Sequence, residues 1–303
     1  MWRRVRPHRL REFPQWQPYF AGKVGLELGG PTRLFGRGGS FPVYPLAGRI
    51  DNCNFGAQTV WEGTINEGDT FVFNPGSAPG RQFIGEAGDL GTIGDGSYDF
   101  VLSSHCLEHL ANPLCALGEW KRVLRPDGLL VLIVPHKDGT FDHRRPTTTL
   151  AHLVADRDQG TDEGDLTHLD EILRLHDLKR DPGAGDRRTF EERSRGNREH
   201  RCLHHHVFDT RLAVDVVDHL GLRILAAEAF RPFHIAVVAR KTAPVRRSTM
   251  PGSRPPEPNC VARSRRTALP VTERRRRAGP CSIPAGASVP ATPGRGPAVD
   301  PDG

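Results

Sequence analysis

Residues 98–135, YDFVLSSHCLEHLANPLCALGEWKRVLRPDGLLVLIVP, constrain the fold more than any other stretch of the chain. Leu129-Leu130-Val131-Leu132-Ile133-Val134 is apolar at consecutive positions. A strand apolar on both faces is one buried between layers, as central parallel strands are. Tyr98-Asp99-Phe100-Val101-Leu102-Ser103 reads as a second strand. Between them, Asn112 stands where a helix is capped and Pro113 where it opens. Leu117, Trp120 and Val123-Leu124 then recur at helical spacing. Arg125-Pro126-Asp127-Gly128 reads as the turn that ends the helix. Strand, helix, strand is a βαβ unit, and such units build a parallel, doubly wound α/β sheet.

Three more strands are expected upstream: residues 24–28, one ending near Arg49-Ile50-Asp51, and residues 82–85. Downstream, a helix pattern runs from Thr210 to Leu220, followed by two closing strands at 222–225 and 234–239. The intervening residues 136–206 hold nine histidines, many charges and weak helical patterns at 148–155 and 169–175. They read as an insertion, a His-rich lid over one edge of the sheet.

Charge divides the chain further. The formal net charge is +6, yet residues 241–303 carry twelve Lys and Arg against four Asp and Glu. The first 20 residues carry five Arg and one Glu, which leaves residues 21–240 at −6. The core is thus mildly acidic, and a nucleic-acid groove built into it is not expected. Three zones follow: a basic N-terminal arm at 1–20, a folded domain at 21–240, and an Arg- and Pro-rich tail at 241–303. The tail lacks the apolar residues that would offset its ordering entropy, so disorder is expected there, with nucleic acid as a partner only through that tail. The six cysteines form no CxxC pair, which fits reduced thiols. The N-terminus has no apolar run of signal-peptide type, and no segment has the roughly 18 apolar residues of a membrane span. A cytoplasmic protein without membrane contact is the expectation.

In an open α/β sheet, ligands bind outside the carboxyl ends of the strands. Four segments fall there: Glu27-Leu28-Gly29-Gly30, Asp51, Glu86-Ala87-Gly88-Asp89-Leu90, and Ser103-Ser104-His105-Cys106-Leu107-Glu108-His109. The first lacks the third glycine of the G-x-G-x-x-G dinucleotide fingerprint. Pro31 and Thr32 stand there instead, so the loop departs from the one that holds a pyrophosphate.

This ordered set, together with LEHL and the L-x-P-x-G turn in 98–135, resembles the class I S-adenosylmethionine-dependent methyltransferases, type 11. The resemblance covers about 22–135 and, more loosely, 207–240. It implies a Rossmann-like methyltransferase fold and S-adenosylmethionine as cofactor. It also implies that Glu27, Gly29 and Gly30 form the cofactor loop, that Asp51 binds ribose and Asp89 lies near the adenine amino group, and that His105 sits under the cofactor. The stretch 36–48, GRGGSFPVYPLAG, departs from it, because the family usually has a helix there.

Methyl transfer from a sulfonium needs alignment, and a base only where the nucleophile must lose a proton. Histidine can serve near neutral pH. His105, His136 and His143 are the candidate catalytic residues, with Arg144 and Arg145 suited to an anionic group on the substrate. The expected acceptor is a polar small molecule. No metal is required by this reading. A different one uses His204 and His206, alternating on a strand, with His136, His143 or His168 as ligands of zinc or iron in a hydrolase or oxygenase. A third is a non-catalytic binding protein that contacts nucleic acid through its basic ends.

Overall fold

The computed structural model describes residues 9–242. The strands are β1 (Val24–Leu28), β2 (Arg49–Asn54), β3 (Gln58–Thr59), β4 (Gly63–Thr64), β5 (Gly68–Phe71), β6 (Gly80–Ile84), β7 (Tyr98–Ser104), β8 (Leu124–Pro135), β9 (Arg223–Phe230) and β10 (His234–Arg240). β3 and β4 form a small ribbon, and the other eight form one sheet in the order β5-β6-β2-β1-β7-β8-β10-β9. β6, β2, β1, β7 and β8 are parallel. β5 runs antiparallel to β6, and β10 antiparallel to both β8 and β9. The parallel strands diverge from β1, through β2 and β6 on one side and β7 and β8 on the other. That reversal opens a crevice at the carboxyl ends.

The helices are α1 (Phe13–Trp16), α2 (Pro113–Val123), α3 (Leu150–Gln159), α4 (Leu169–Leu175), α5 (Arg187–Arg195), α6 (Asn197–His200) and α7 (Thr210–His219). One sheet face packs Leu26, Leu28, Val101 and Leu132 against α2 and α7 through Leu117, Trp120, Val216 and Val217. Asn112 caps α2 as expected, its side-chain oxygen accepting from the Cys115 N–H at 3.1 Å. The Trp120 indole is fully buried and donates to the Ala87 carbonyl at 2.8 Å. This bond ties α2 to the loop after β6.

The opposite face is covered mainly by irregular chain and aromatic rings. Phe13, Trp16, Phe20, Phe35 and Phe41 are buried against Ile50, Phe100 and Leu102. Phe20 meets Phe100 edge-on at 5.1 Å and Phe41 at 5.7 Å. The described part of the N-terminal arm, from residue 9, therefore belongs to the core, because its aromatic residues bury more apolar surface than its arginines oppose. The stretch 36–48 forms no helix, as its Gly and Pro content suggested, and seats Phe41 and Val43 in this layer. The expected tail lies outside the described residues from 243 onward.

Two boundaries differ from expectation. The Arg125–Gly128 turn is absorbed into β8 as an irregularity. Pairing with β7 jumps from Tyr98↔Leu124 to Phe100↔Leu129, and Asp127 takes a φ of 65°. The insertion does not run along a sheet edge. The edges are β5 and β9, whereas the insertion stands over the carboxyl ends and has a small core of its own around Leu169, Ile172 and Phe190. Among the described residues, no helix is long and apolar enough to cross a membrane.

Candidate active site

A cavity of about 410 Å³ opens at the carboxyl ends of β1, β2, β6, β7 and β8. This lies within the usual range of small-molecule sites. Strand ends supply Gly29, Gly30, Asn54, Glu86 and His105, and the insertion supplies Thr140, Phe141, Arg201 and His204.

The β1 loop turns on Gly29 (φ 73°) and Gly30 (φ 87°), left-handed values that L side chains rarely adopt. A Cβ on Gly30 would also lie 2.3 Å from Glu27 Oε1. The Glu27 carboxylate is not on the cavity wall but sits directly beneath the loop. Its oxygens lie 2.9 and 2.8 Å from the Tyr44 hydroxyl, which accepts from the Thr32 N–H at 2.9 Å. Burial pushes the Glu27 carboxyl up to about 8, against the lowering effect of the Tyr44 bond. The Asn52 amide donates to the Glu27 carbonyl at 3.2 Å and also to that of Gly29. The loop is thus held open and rigid from below, with backbone and no side chain facing the cavity at Gly30.

Asp51 is a correction. β2 begins at Arg49 and runs to Asn54, so Asp51 lies inside the strand, opposite Leu26. Its carboxylate accepts from the Tyr98 hydroxyl (2.9 Å), the Arg81 N–H (2.8 Å) and Arg49 Nε (2.7 Å). These bonds commit it to the sheet. The strand-end position on the wall belongs to Asn54, with Phe55 beside it.

Asp89 is a second correction. It is exposed and accepts the Gly91 N–H at 3.2 Å in a local turn. The acid on the wall after β6 is Glu86, paired with Arg201 at 2.6 Å. GEAGD offers two acids three residues apart, and β6 ending at Ile84 places the first at the crevice.

His105 stands where expected, at the end of β7, with a φ of 53°. Its Nε2 lies 2.8 Å from His234 Nδ1, and its Nδ1 lies 3.4 Å from Glu108 Oε1. Burial pushes His234 down to about 4, so it is neutral at physiological pH. His136 and His143 do not reach the wall, which is a third correction. His136 Nδ1 accepts the Asp138 N–H at 3.3 Å, and His143 Nε2 pairs with Asp177 at 2.9 Å. Arg144 also turns to Asp177, and Arg145 is buried between Asp142 and Glu171. Neither arginine faces the cavity.

The histidines on the wall besides His105 are His109 and His204. His109 is pushed down to about 4 by burial and by His204. His204 rises above its ordinary value because Asp142, 2.5 Å from its Nδ1, outweighs burial. Glu108 is fully buried, which raises its pKa, but His105, His109 and His204 together hold it below the ordinary carboxylate value. His204 and His206 do not converge, since the segment carrying them is not a strand. His206 instead clusters with His152 and His168. One signal was available for Glu108 and His109. In LEHL they stand three and four residues after His105, a spacing that gathers side chains on one face of a helical turn.

Part of the chain matches a known family model. Residues 71–132 match the family model described as "Methyltransferase domain". The matched residues run from the end of β5 into β8. Among curated proteins, it is 44% identical over 61 residues to an uncharacterized 37.1 kDa protein of transposon Tn4556 from Streptomyces fradiae. That match covers 19% of this chain and 18% of the relative. Among solved structures, it is similar to an S-adenosylmethionine-dependent methyltransferase from Mesorhizobium loti, with 15% identity, 76% of this chain and 97% of that one covered, and a TM-score of 0.44. It is also similar to the 1,6-didemethyltoxoflavin-N1-methyltransferase of Burkholderia thailandensis, solved with bound S-adenosylhomocysteine. There the identity is 13%, with 77% and 79% covered and a TM-score of 0.40.

Proposed function

We propose that the protein transfers the methyl group of S-adenosylmethionine to a polar small-molecule acceptor in this cavity. The observation that carries the reading is the Gly29-Gly30 loop, where two left-handed glycines present bare backbone over the buried carboxyl group of Glu27. The residues fit the cofactor. A side chain at Gly30 would fill the space above Glu27, and no phosphate-binding helix terminus is needed there. The loop would hold the methionine part, Asn54 the ribose, and Glu86 the adenine amino group. Bound there, the cofactor supplies an electrophilic methyl on a positively charged sulfur.

The chain's own residues then align and select. His105, fixed by His234 and Glu108, lines the same cavity as the glycine loop and the insertion residues. Phe141, Phe233 and Trp61 line the cavity and restrict water, while Arg180, Asp181 and Arg201 give the wall its polar groups. This mixture suits a polar acceptor better than an apolar one.

Calorimetric titration of the full chain with S-adenosylmethionine and S-adenosylhomocysteine tests the reading, with NAD as control. Micromolar binding of both is expected, with none for NAD and at least a tenfold loss in Gly30→Ala. Failure of the well-folded protein to bind either ligand would overturn it.

A further inference from the structure

The insertion completes a cluster on the cavity wall of which the methyl-transfer reading uses only Glu108, as a support of His105. Ligand atoms of Glu108, His109 and His204 all lie within 4.8 Å of one another, and all three residues line the cavity. Glu108 is fully buried, and neither of its carboxylate oxygens accepts a hydrogen bond. Its ion-pair neighbour is His105 Nδ1 at 3.4 Å. A carboxylate taken out of water without hydrogen bonds is costly, and a cation is what offsets that cost.

The two imidazoles are oriented for one. His109 Nδ1 faces the Leu203 carbonyl at 3.0 Å, and His204 Nδ1 faces Asp142 Oδ2 at 2.5 Å. A carbonyl and a carboxylate can only accept, so each Nδ1 carries a proton and Nε2 is the atom each ring can present to an ion, His204 by releasing its second proton. Asp142 is held in turn by Arg145 at 3.1 Å, and Arg145 also donates to the carbonyls of His204 and His205. A carboxylate behind an imidazole is the arrangement that fixes metal-ligating histidines. The His152, His168 and His206 cluster is different. His152 and His168 point their Nε2 atoms at each other, 3.0 Å apart, and His206 Nε2 is taken by the Ala111 carbonyl at 3.2 Å.

We propose that Glu108, His109 and His204 bind one divalent first-row metal ion, with open coordination positions facing the cavity. Two imidazoles and one carboxylate suit zinc, iron or manganese, and three protein ligands leave room for substrate. Its use rests on the methyl-transfer reading: the ion takes a hydroxyl of the acceptor and lowers that hydroxyl's pKa. The hydroxyl proton leaves to solvent. The acceptor oxygen forms a bond to the methyl carbon as the carbon–sulfur bond breaks, and the electron pair stays on sulfur as a neutral thioether.

The test uses the full-length chain, stripped with chelator and titrated with Zn²⁺ by calorimetry and with Co²⁺ by visible absorption. One equivalent bound at the site is expected. It is lost in Glu108→Gln and His204→Ala, unchanged in His168→Ala, and weakened about 10–100-fold in Asp142→Asn, which touches no ion directly. Thermal melts accompany each variant, and Asp142→Asn and His168→Ala carry the test if a ligand variant fails to fold. Wild-type protein that folds but takes up neither ion would overturn the proposal, leaving protonated His204 as the counter-charge of Glu108. Uptake that Glu108→Gln and His204→Ala leave intact would overturn it as well. S-adenosylmethionine titration of the same stripped protein separates the two readings. Cofactor binding without metal binding sinks the metal site alone, and metal binding without cofactor binding sinks its use in methyl transfer.

Discussion

Replacing Glu27 by Gln should change how the stability of this protein depends on pH. The wild-type carboxyl lies fully buried beneath Gly30 and is pushed up to about 8, against an ordinary value of 4.5. Between those two values the folded state holds a proton there that the unfolded state has released. Unfolding then liberates one proton, and stability falls by about 1.4 kcal/mol per pH unit as pH rises. The contribution is fully present below 4.5 and is lost as pH rises through about 8. Glutamine has the same shape, accepts the Tyr44 hydroxyl through its carbonyl, and does not titrate. From about pH 5 to about pH 7.5, wild type should therefore lose roughly 3.5 kcal/mol relative to Glu27→Gln. Urea unfolding of both proteins across that range measures the difference. With a slope of about 3 kcal/mol per molar urea, the midpoints should diverge by about 1 M. Comparing the two proteins cancels the other titrating groups. Parallel stability curves would show that Glu27 is ionised in the folded protein and would refute the account of the loop as resting on a neutral acid.

Trp120→Ala should cost about 3–5 kcal/mol in urea unfolding, since it empties a buried site and leaves the Ala87 carbonyl without its donor. A cost under about 1 kcal/mol would contradict the packing of α2 described above. Asp51→Asn should lower stability by about 1–3 kcal/mol through its bonds to Tyr98, Arg49 and Arg81, yet leave S-adenosylmethionine affinity within about twofold. A tenfold affinity loss in folded protein would return Asp51 to the cofactor site.

Much of the sheet was legible in the sequence because its signals are local. The double-faced apolar run at 129–134, the Asn112-Pro113 opening of α2 and the closing strand pair each depend on neighbours within a few residues. Gly29 and Gly30 were legible for the same reason, as a strand end followed by glycines constrains its own backbone. His105 followed from its place after β7. The misassigned residues share a different cause. Asp51 and Asn54 lie three apart on β2, and Glu86 and Asp89 lie three apart after β6. Composition gives no reason to prefer either member of a pair. The register of β2 against β1, and the end of β6 at Ile84, select Asn54 and Glu86 for the cavity.

The sequence by itself determined a parallel α/β sheet, its crevice, and a pair of glycines that turn the chain at the end of β1, because period, punctuation and backbone freedom are properties of short segments. Only the tertiary structure decided which of nine histidines in the insertion face the crevice. His136 and His143 find partners in Asp138 and Asp177, while His204 is carried by Asp142 and Arg145 to Glu108 and His109, 95 residues and more away in the chain. A charged side chain goes to whichever partner the fold brings near, and no local pattern encodes that meeting.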